Sequence, residues 1–173
     1  MKRTTTPPAP GIRPAPSTRA AGAQEVALKL WVVLARAYAS VSRRLELDVA
    51  RHGLTPTEFG ILEALYHKGP LLLGNLQRQT LISSGGVTYV VDRLVAKGLV
   101  ARQDCPEDRR ARYAVLTPAG EAFIGRIFPE HARRIEELLA GLTTAEQGQA
   151  IALLRTLGLA AEGAQESSAS DVA

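Results

Sequence analysis

Apolar and polar positions alternate along the chain in a way that predicts six helices and one strand pair. Val26, Leu30, Val33, Leu34, Ala37, Val41 and Leu45 recur at three- and four-residue steps, so one long helix is expected over 24–51. Trp31 and Tyr38 add a second stripe beside the first, and an apolar surface this wide implies burial on more than one side. His52-Gly53 ends the helix. Thr55, Pro56 and Glu58 then form a capping-box start, followed at helical spacing by Phe59, Leu62, Leu65 and Tyr66, and Gly69-Pro70 stops that helix. Two shorter helices are expected at about 74–80 and 84–97. The "LISSGG" stretch joins them, with Ser83 or Ser84 as N-cap. Leu76, Leu81, Val87, Val90, Val91, Leu94 and Val95 should face inward, and Thr88, Tyr89, Asp92, Arg93 and Lys97 outward. After Gly98, "LVARQD" (99–104) and "RYAVLT" (112–117) alternate like the two strands of a hairpin. Thr117-Pro118 opens another helix, which Pro129 should bend or interrupt. Thr143 and Glu146 make a second capping box before a last helix. It runs to about residue 160 and carries Ile151, Leu153, Leu154 and Leu157.

A helix-turn-helix followed at once by a hairpin is the order of a winged helix. The expected fold is therefore mostly α: an α+β winged helix-turn-helix with additional N- and C-terminal dimerisation helices. Its second helix can enter a major groove and read base edges, and its hairpin loop can lie on the neighbouring backbone or minor groove. Charge supports this placement. Arg93, Lys97, Arg102, Arg109, Arg110 and Arg112 stand against Asp104, Glu107 and Asp108 on the two elements that would meet DNA. The whole chain is only mildly basic, with a net charge of +4. The plain alternative for the arginine-rich turn is a solvated loop with local ion pairs.

Length and composition restrict the rest. The chain has 173 residues, 46% of them hydrophobic, which suits one domain. Residues 1–22 hold five prolines and no acid and are expected to be a disordered tail, as are residues 163–173; the folded domain should span 23–162. A single cysteine, Cys105, excludes an intrachain disulfide. His52, His67 and His131 match no zinc spacing with it, so no metal or cofactor is expected. The N-terminus lacks the apolar core of a signal peptide, and "LKLWVVLARAYASV" is broken by Arg36 and too short to span a bilayer. The expectation is a cytoplasmic protein without a membrane partner. It should not be an enzyme, since no nucleophile–base pair, phosphate loop or metal cluster is visible.

Three stretches, "LTPTEFGILEALYHKG", "SSGGVTYVVDRLVAKGLVAR" and "CPEDRRARYAVLTPAGE", resemble in that order the MarR family of winged-helix regulators, over about residues 25–160. The D-x-R pattern at Asp108-Arg109-Arg110, followed by "LT" and a glycine, is similar to the family's wing signature. "HGLTPTEF", "LYHKG", "VTYVVD" and "CPEDRR" further resemble the branch that represses genes for handling quinones and related phenolic compounds. The resemblance implies a homodimeric repressor on double-stranded DNA with a pseudo-palindromic operator, released by a small aromatic ligand. Carried over to this sequence, the recognition segment is Ser83, Ser84, Gly85, Gly86, Thr88, Tyr89 and Arg93. Arg110 matches the wing arginine of the minor groove, Arg109 and Arg112 flank it, and Asp108 matches the acid that positions the wing. Two glycines at a helix start cost about 1 kcal/mol each relative to alanine inside a helix. Close approach of their N–H groups to a phosphate is one reason to keep them.

For the effector, the resemblance implies a pocket using Trp31, Phe59, Glu63 and His131. The plainer reading makes Trp31 and Phe59 core, Glu63 solvated and His131 a surface group. Cys105 offers an alternative, a thiol-based redox sensor, because neighbouring arginines favour a thiolate. The family's peroxide-sensing branch, however, carries its reactive cysteine near the first helix, where this chain has none. A winged-helix protein–protein adaptor is the remaining alternative, and the basic wing counts against it.

Overall fold

A computed structural model of the chain describes residues 18–80, 84–105 and 111–170. The element order is α1 (Thr18–Ala50), α2 (Pro56–Lys68), β1 (Leu71–Leu72), α3 (Leu73–Thr80), α4 (Ser84–Ala96), β2 (Val100–Asp104), β3 (Arg112–Leu116), α5 (Pro118–Leu139) and α6 (Thr144–Ser170). The mostly helical winged-helix class expected from the pattern is the one observed. The chain divides into two compact units, one ending at Val41 and the other beginning at Ser42. In the first unit α1 keeps its apolar stripe in solvent: Val26, Leu30, Trp31, Val33 and Tyr38 are all exposed.

The second unit is built around α2 and α4. Phe59, Ile61, Leu62 and Leu65 of α2 pack with Leu76 of α3 and with Val87, Val90, Val91 and Leu94 of α4. Val100 and Ala114 of the sheet, and Ile124 and Ile127 of α5, complete the core with Val49 and Leu54. Val95, expected inside, is exposed, because the inward arc of α4 is already filled by Val87, Val91 and Leu94 at four- and three-residue steps.

Capping decides where several elements begin and end. The Thr55 N–H donates to a Glu58 Oε at 2.8 Å, and the Glu58 N–H donates to Thr55 Oγ1 at 3.2 Å, with Pro56 in the first turn of α2. The same box recurs at α6, where the Thr143 N–H reaches Glu146 at 2.8 Å. Gly98 adopts φ +70°, and the backbone N–H of Leu99 donates to the Leu94 carbonyl at 3.0 Å. That left-handed turn closes α4 and launches β2.

The hairpin strands pair from Val100↔Leu116 to Asp104↔Arg112, and β1 joins β3 on its other side to give the order β1-β3-β2. β1 was not expected; two residues are too few to show an alternation. A backbone latch ties the sheet to α5. The Thr117 N–H donates to the Leu99 carbonyl at 3.1 Å and the Thr117 hydroxyl to the Gly98 carbonyl at 2.7 Å. Gly120 N–H returns to Thr117 Oγ1 at 3.0 Å. Gly120 is buried, and a Cβ on it would lie 1.9 Å from the Leu99 carbonyl oxygen, so only glycine fits.

Three helical expectations change. Pro129 does not interrupt α5, which runs unbroken from Pro118 to Leu139. One missing backbone bond is outweighed by the anchoring of both halves, through Ile124 and Ile127 on one side and His131 on the other. Residues 18–22, placed in the N-terminal tail, begin α1. Residues 163–170, placed in the C-terminal tail, continue α6, where alanine, glutamate and glutamine favour helix.

Candidate nucleic-acid interface

The two faces of α4 separate cleanly. Val87, Val90, Val91 and Leu94 are in the core, while Thr88, Tyr89, Asp92 and Arg93 are in solvent, with Tyr89 63% exposed. An exposed aromatic on a helix whose opposite face is fully packed is available to a partner. Ser84, Gly85 and Gly86 form the first turn of α4. Ser83 lies outside the described residues.

Arg93 is not a bare cation. Its Nε lies 3.2 Å from Glu58 Oε1, and Lys97 Nζ lies 2.8 Å from the same oxygen. Lys97 also donates to the Gly53 carbonyl at 2.8 Å. The Arg93 guanidinium sits 6.0 Å from the centre of the Tyr89 ring, the outer range of a cation–π contact. Glu58 therefore does more than cap α2. Burial pushes its carboxyl up, but the hydrogen bonds from Lys97 and the Thr55 N–H, with the charges of Lys97 and Arg93, outweigh this and hold it below its usual value. The sequence carries one trace of this arrangement: Arg93 and Lys97 are like charges four apart on one face, which a nearby carboxylate relieves.

Ion pairs also brace the wing. Arg102 of β2 meets Asp92 of α4 at 2.8 Å, and Arg112 meets Asp104 across the hairpin at 3.1 Å. Each of these pairs is at least partly exposed, so a phosphate can displace the carboxylate at little cost. Asp108, Arg109 and Arg110 lie outside the described residues. Cys105 stands just before them, with its N–H donating to the Ala111 carbonyl at 3.3 Å and its side chain buried. Burial removes the accessibility that a reactive thiol needs.

The residues assigned to an effector do not form one cluster in the second unit. Phe59 and His131 meet with ring centres 4.2 Å apart, both buried. His131 is not the surface group of the plainer reading. Its Nδ1 lies 3.0 Å from an Oδ of Asp48, and both side chains are almost fully enclosed. Arg134 approaches the other Asp48 oxygen at 3.6 Å. Asp48 was missed because 83 positions separate it from His131, and no spacing rule spans that distance. Glu63 lies elsewhere on α2, in an open depression of about 410 Å³ lined by Pro56, Thr57, Gly60, Ala64, His67 and Lys68. Trp31 is 65% exposed on α1 of the first unit.

A helix-turn-helix with an exposed reading face, a braced hairpin beside it and long flanking helices defines a winged-helix DNA-binding regulator. Residues 52–111 match the MarR family. The chain is 41% identical over 138 residues to the HTH-type transcriptional regulator MhqR of Bacillus subtilis, covering 80% of this chain and 95% of that protein. The chain belongs to the MarR family. Among solved structures, Bordetella bronchiseptica BpsR, whose DNA binding is regulated by 6-hydroxynicotinic acid, superposes with a TM-score of 0.67 at 30% identity. That match covers 73% of this chain and 90% of BpsR. Sco3205 of Streptomyces coelicolor, solved in complex with DNA, shares the fold with a TM-score of 0.71 at 24% identity, over 76% of this chain and 84% of that one.

Proposed function

We propose that this MarR-family regulator is a homodimeric repressor that binds a pseudo-palindromic operator and releases it when a small hydroxylated aromatic molecule binds. The observation that carries the reading is the division of α4 into a packed valine face and a solvent face bearing Thr88 and Tyr89, beside a braced wing. In this reading α4 lies in the major groove, with its glycine-rich first turn against a phosphate. Arg110 of the wing enters the minor groove, steadied by Asp108, and Arg109 and Arg112 are further DNA contacts.

Two copies are favoured because α1 and α6 leave long apolar rows in solvent: Val26, Leu30 and Val33 on one, Ile151, Leu153, Leu154, Leu157 and Leu159 on the other. Rows this long call for a partner surface. The ligand class is favoured by the likeness to BpsR, whose regulator is a hydroxylated nitrogen heteroaromatic. Phe59 and His131 form the proposed ring-binding pair. Their ring centres lie 4.2 Å apart, so a ligand seated between them must part them. Glu63 and Trp31 are separate candidates. Moving a dimer from mostly competent to mostly incompetent needs a differential affinity of up to about 5.5 kcal/mol. A single aromatic contact at about 0.5–1.5 kcal/mol is too small, so two sites per dimer and hydrogen bonding have to contribute.

The test is selection of bound fragments from the source genome, followed by operator release with a panel of phenols, hydroquinones, quinones and hydroxylated pyridines. The parent is compared with Glu63→Gln and Trp31→Ala. A single palindromic site released by members of the panel is the expected result. Failure to enrich any sequence removes the regulator reading, and indifference to every compound removes the ligand class.

A further inference from the structure

We propose that Glu58 is a positioning residue for DNA recognition: its buried carboxylate offsets one of the two charges of Arg93 and Lys97 and holds Arg93 against Tyr89, so that α4 is selected for base contact rather than for general adhesion to phosphate. The inference rests on the DNA-binding reading above.

The second capping box in the chain provides an internal comparison. Glu146 makes the same reciprocal bonds with Thr143, yet it is exposed and has no cation recorded beside it among the described residues. Capping α2 therefore requires neither burial nor cations. Glu58 has both: its side chain is 1% exposed, and one carboxylate oxygen is shared by Arg93 at 3.2 Å and Lys97 at 2.8 Å. The other oxygen is taken by the Thr55 N–H. A carboxylate this enclosed remains charged only while its cations stay. The cations, 43% and 31% exposed, therefore remain at the surface with half of their combined charge offset.

Two consequences follow for α4. The Arg93–Lys97 pair at its C-terminal end presents, with Glu58, about one net positive charge instead of two, which lowers sequence-independent attraction to the duplex. Arg93, fixed by Glu58 on one side and set over the Tyr89 ring on the other, limits the directions in which the exposed tyrosine can swing. A side chain ordered before binding loses less entropy on making a directed contact.

Glu58→Gln is the discriminating variant, since glutamine keeps an oxygen for the Thr55 N–H and removes the charge. Its binding is measured across a salt series on the selected operator and on a scrambled duplex. The expected result is a salt dependence on the scrambled duplex steeper by about 0.9 in log–log slope, the value of the one positive charge uncovered. The preference for operator over scrambled duplex should fall about ten-fold, the scale of one misplaced base contact. Adding Arg93→Gln to Glu58→Gln should abolish the extra slope, because the one cation then left matches the one net charge of the parent cluster. A purely structural role would lower stability and leave both slopes alone. Unchanged slope and preference in a folded Glu58→Gln overturn the inference. If that variant does not fold, an unchanged preference for operator over scrambled duplex in Arg93→Gln overturns it instead. A parent that binds no duplex removes the DNA-binding reading, and this inference falls with it.

Discussion

Gly120→Ala tests whether the wing is held by backbone rather than by side chains. The glycine lies in the first turn of α5, where alanine would by propensity add about 0.5–1 kcal/mol of stability. Its added Cβ, however, falls 1.9 Å from the Leu99 carbonyl oxygen and 2.8 Å from the carbonyl carbon, both backbone atoms that no rotamer change can move. Separating them to contact distance requires more than an ångström of movement between α5 and the start of β2. The Thr117 N–H bond to Leu99 and the Thr117 hydroxyl bond to Gly98 are the first to stretch. Overpacking costs about 1–3 kcal/mol, and each weakened hydrogen bond adds about 1 kcal/mol. After the propensity gain is deducted, the net loss is about 2–4 kcal/mol, a fall in Tm of roughly 5–15 °C for a chain of this size. The assay is urea and thermal unfolding at one fixed protein concentration, because the proposed dimer would make stability concentration-dependent. Gly125→Ala is the control: it lies in the same helix, and the nearest atom its Cβ would meet is the Tyr66 hydroxyl oxygen at an ordinary 3.6 Å. It should be neutral or mildly stabilising. If Gly120→Ala unfolds within about 0.5 kcal/mol of the parent, ordinary for a surface change, the latch is not what holds the wing.

Other outcomes are expected. The Glu58 carboxyl is held below its usual value near 4.5, so its contribution to stability is present above that pH and disappears as pH falls through the lowered folded value. The parent's advantage over Glu58→Gln in urea unfolding should therefore shrink below about pH 4.5, and a constant difference down to pH 3 would remove the ion-pair account. His131→Ala removes the 3.0 Å hydrogen-bond partner of buried Asp48, leaving Arg134 at 3.6 Å among the described residues, and should cost about 3 kcal/mol, whereas a loss under about 1 kcal/mol would show that Asp48 does not depend on the histidine. Leu153→Glu or Leu157→Glu on the exposed row of α6 should shift the sedimenting species toward monomer; a parent already monomeric at micromolar concentration would refute the dimer. Cys105→Ser should still bind operator and still respond to a non-electrophilic phenol, because the thiol is buried at the wing base; complete loss of the response would make Cys105 the sensor.

Local signals in the sequence were enough for most of the secondary structure and for the face of α4. Capping is a contact within three residues, so Thr55–Glu58 and Thr143–Glu146 could be read directly, as could Gly98, whose positive φ ends α4. The valine spacing placed Thr88 and Tyr89 outside because a helix repeats every 3.6 residues whatever surrounds it. What the chain hides is long-range pairing. β1 is two residues that become a strand only because β3 is there to receive them. Pro129 stays within α5 because packing on both sides holds the helix through the missing bond. The Asp48–His131 pair and the Glu58–Arg93–Lys97 cluster depend on the packing of helices distant in sequence, and a pattern with a period of two or four residues carries no information at such separations. The sequence by itself determined which side of α4 faces solvent; the tertiary structure decided which of its charges already have a partner, because a buried carboxylate takes its partners from whatever the fold brings within about 4 Å.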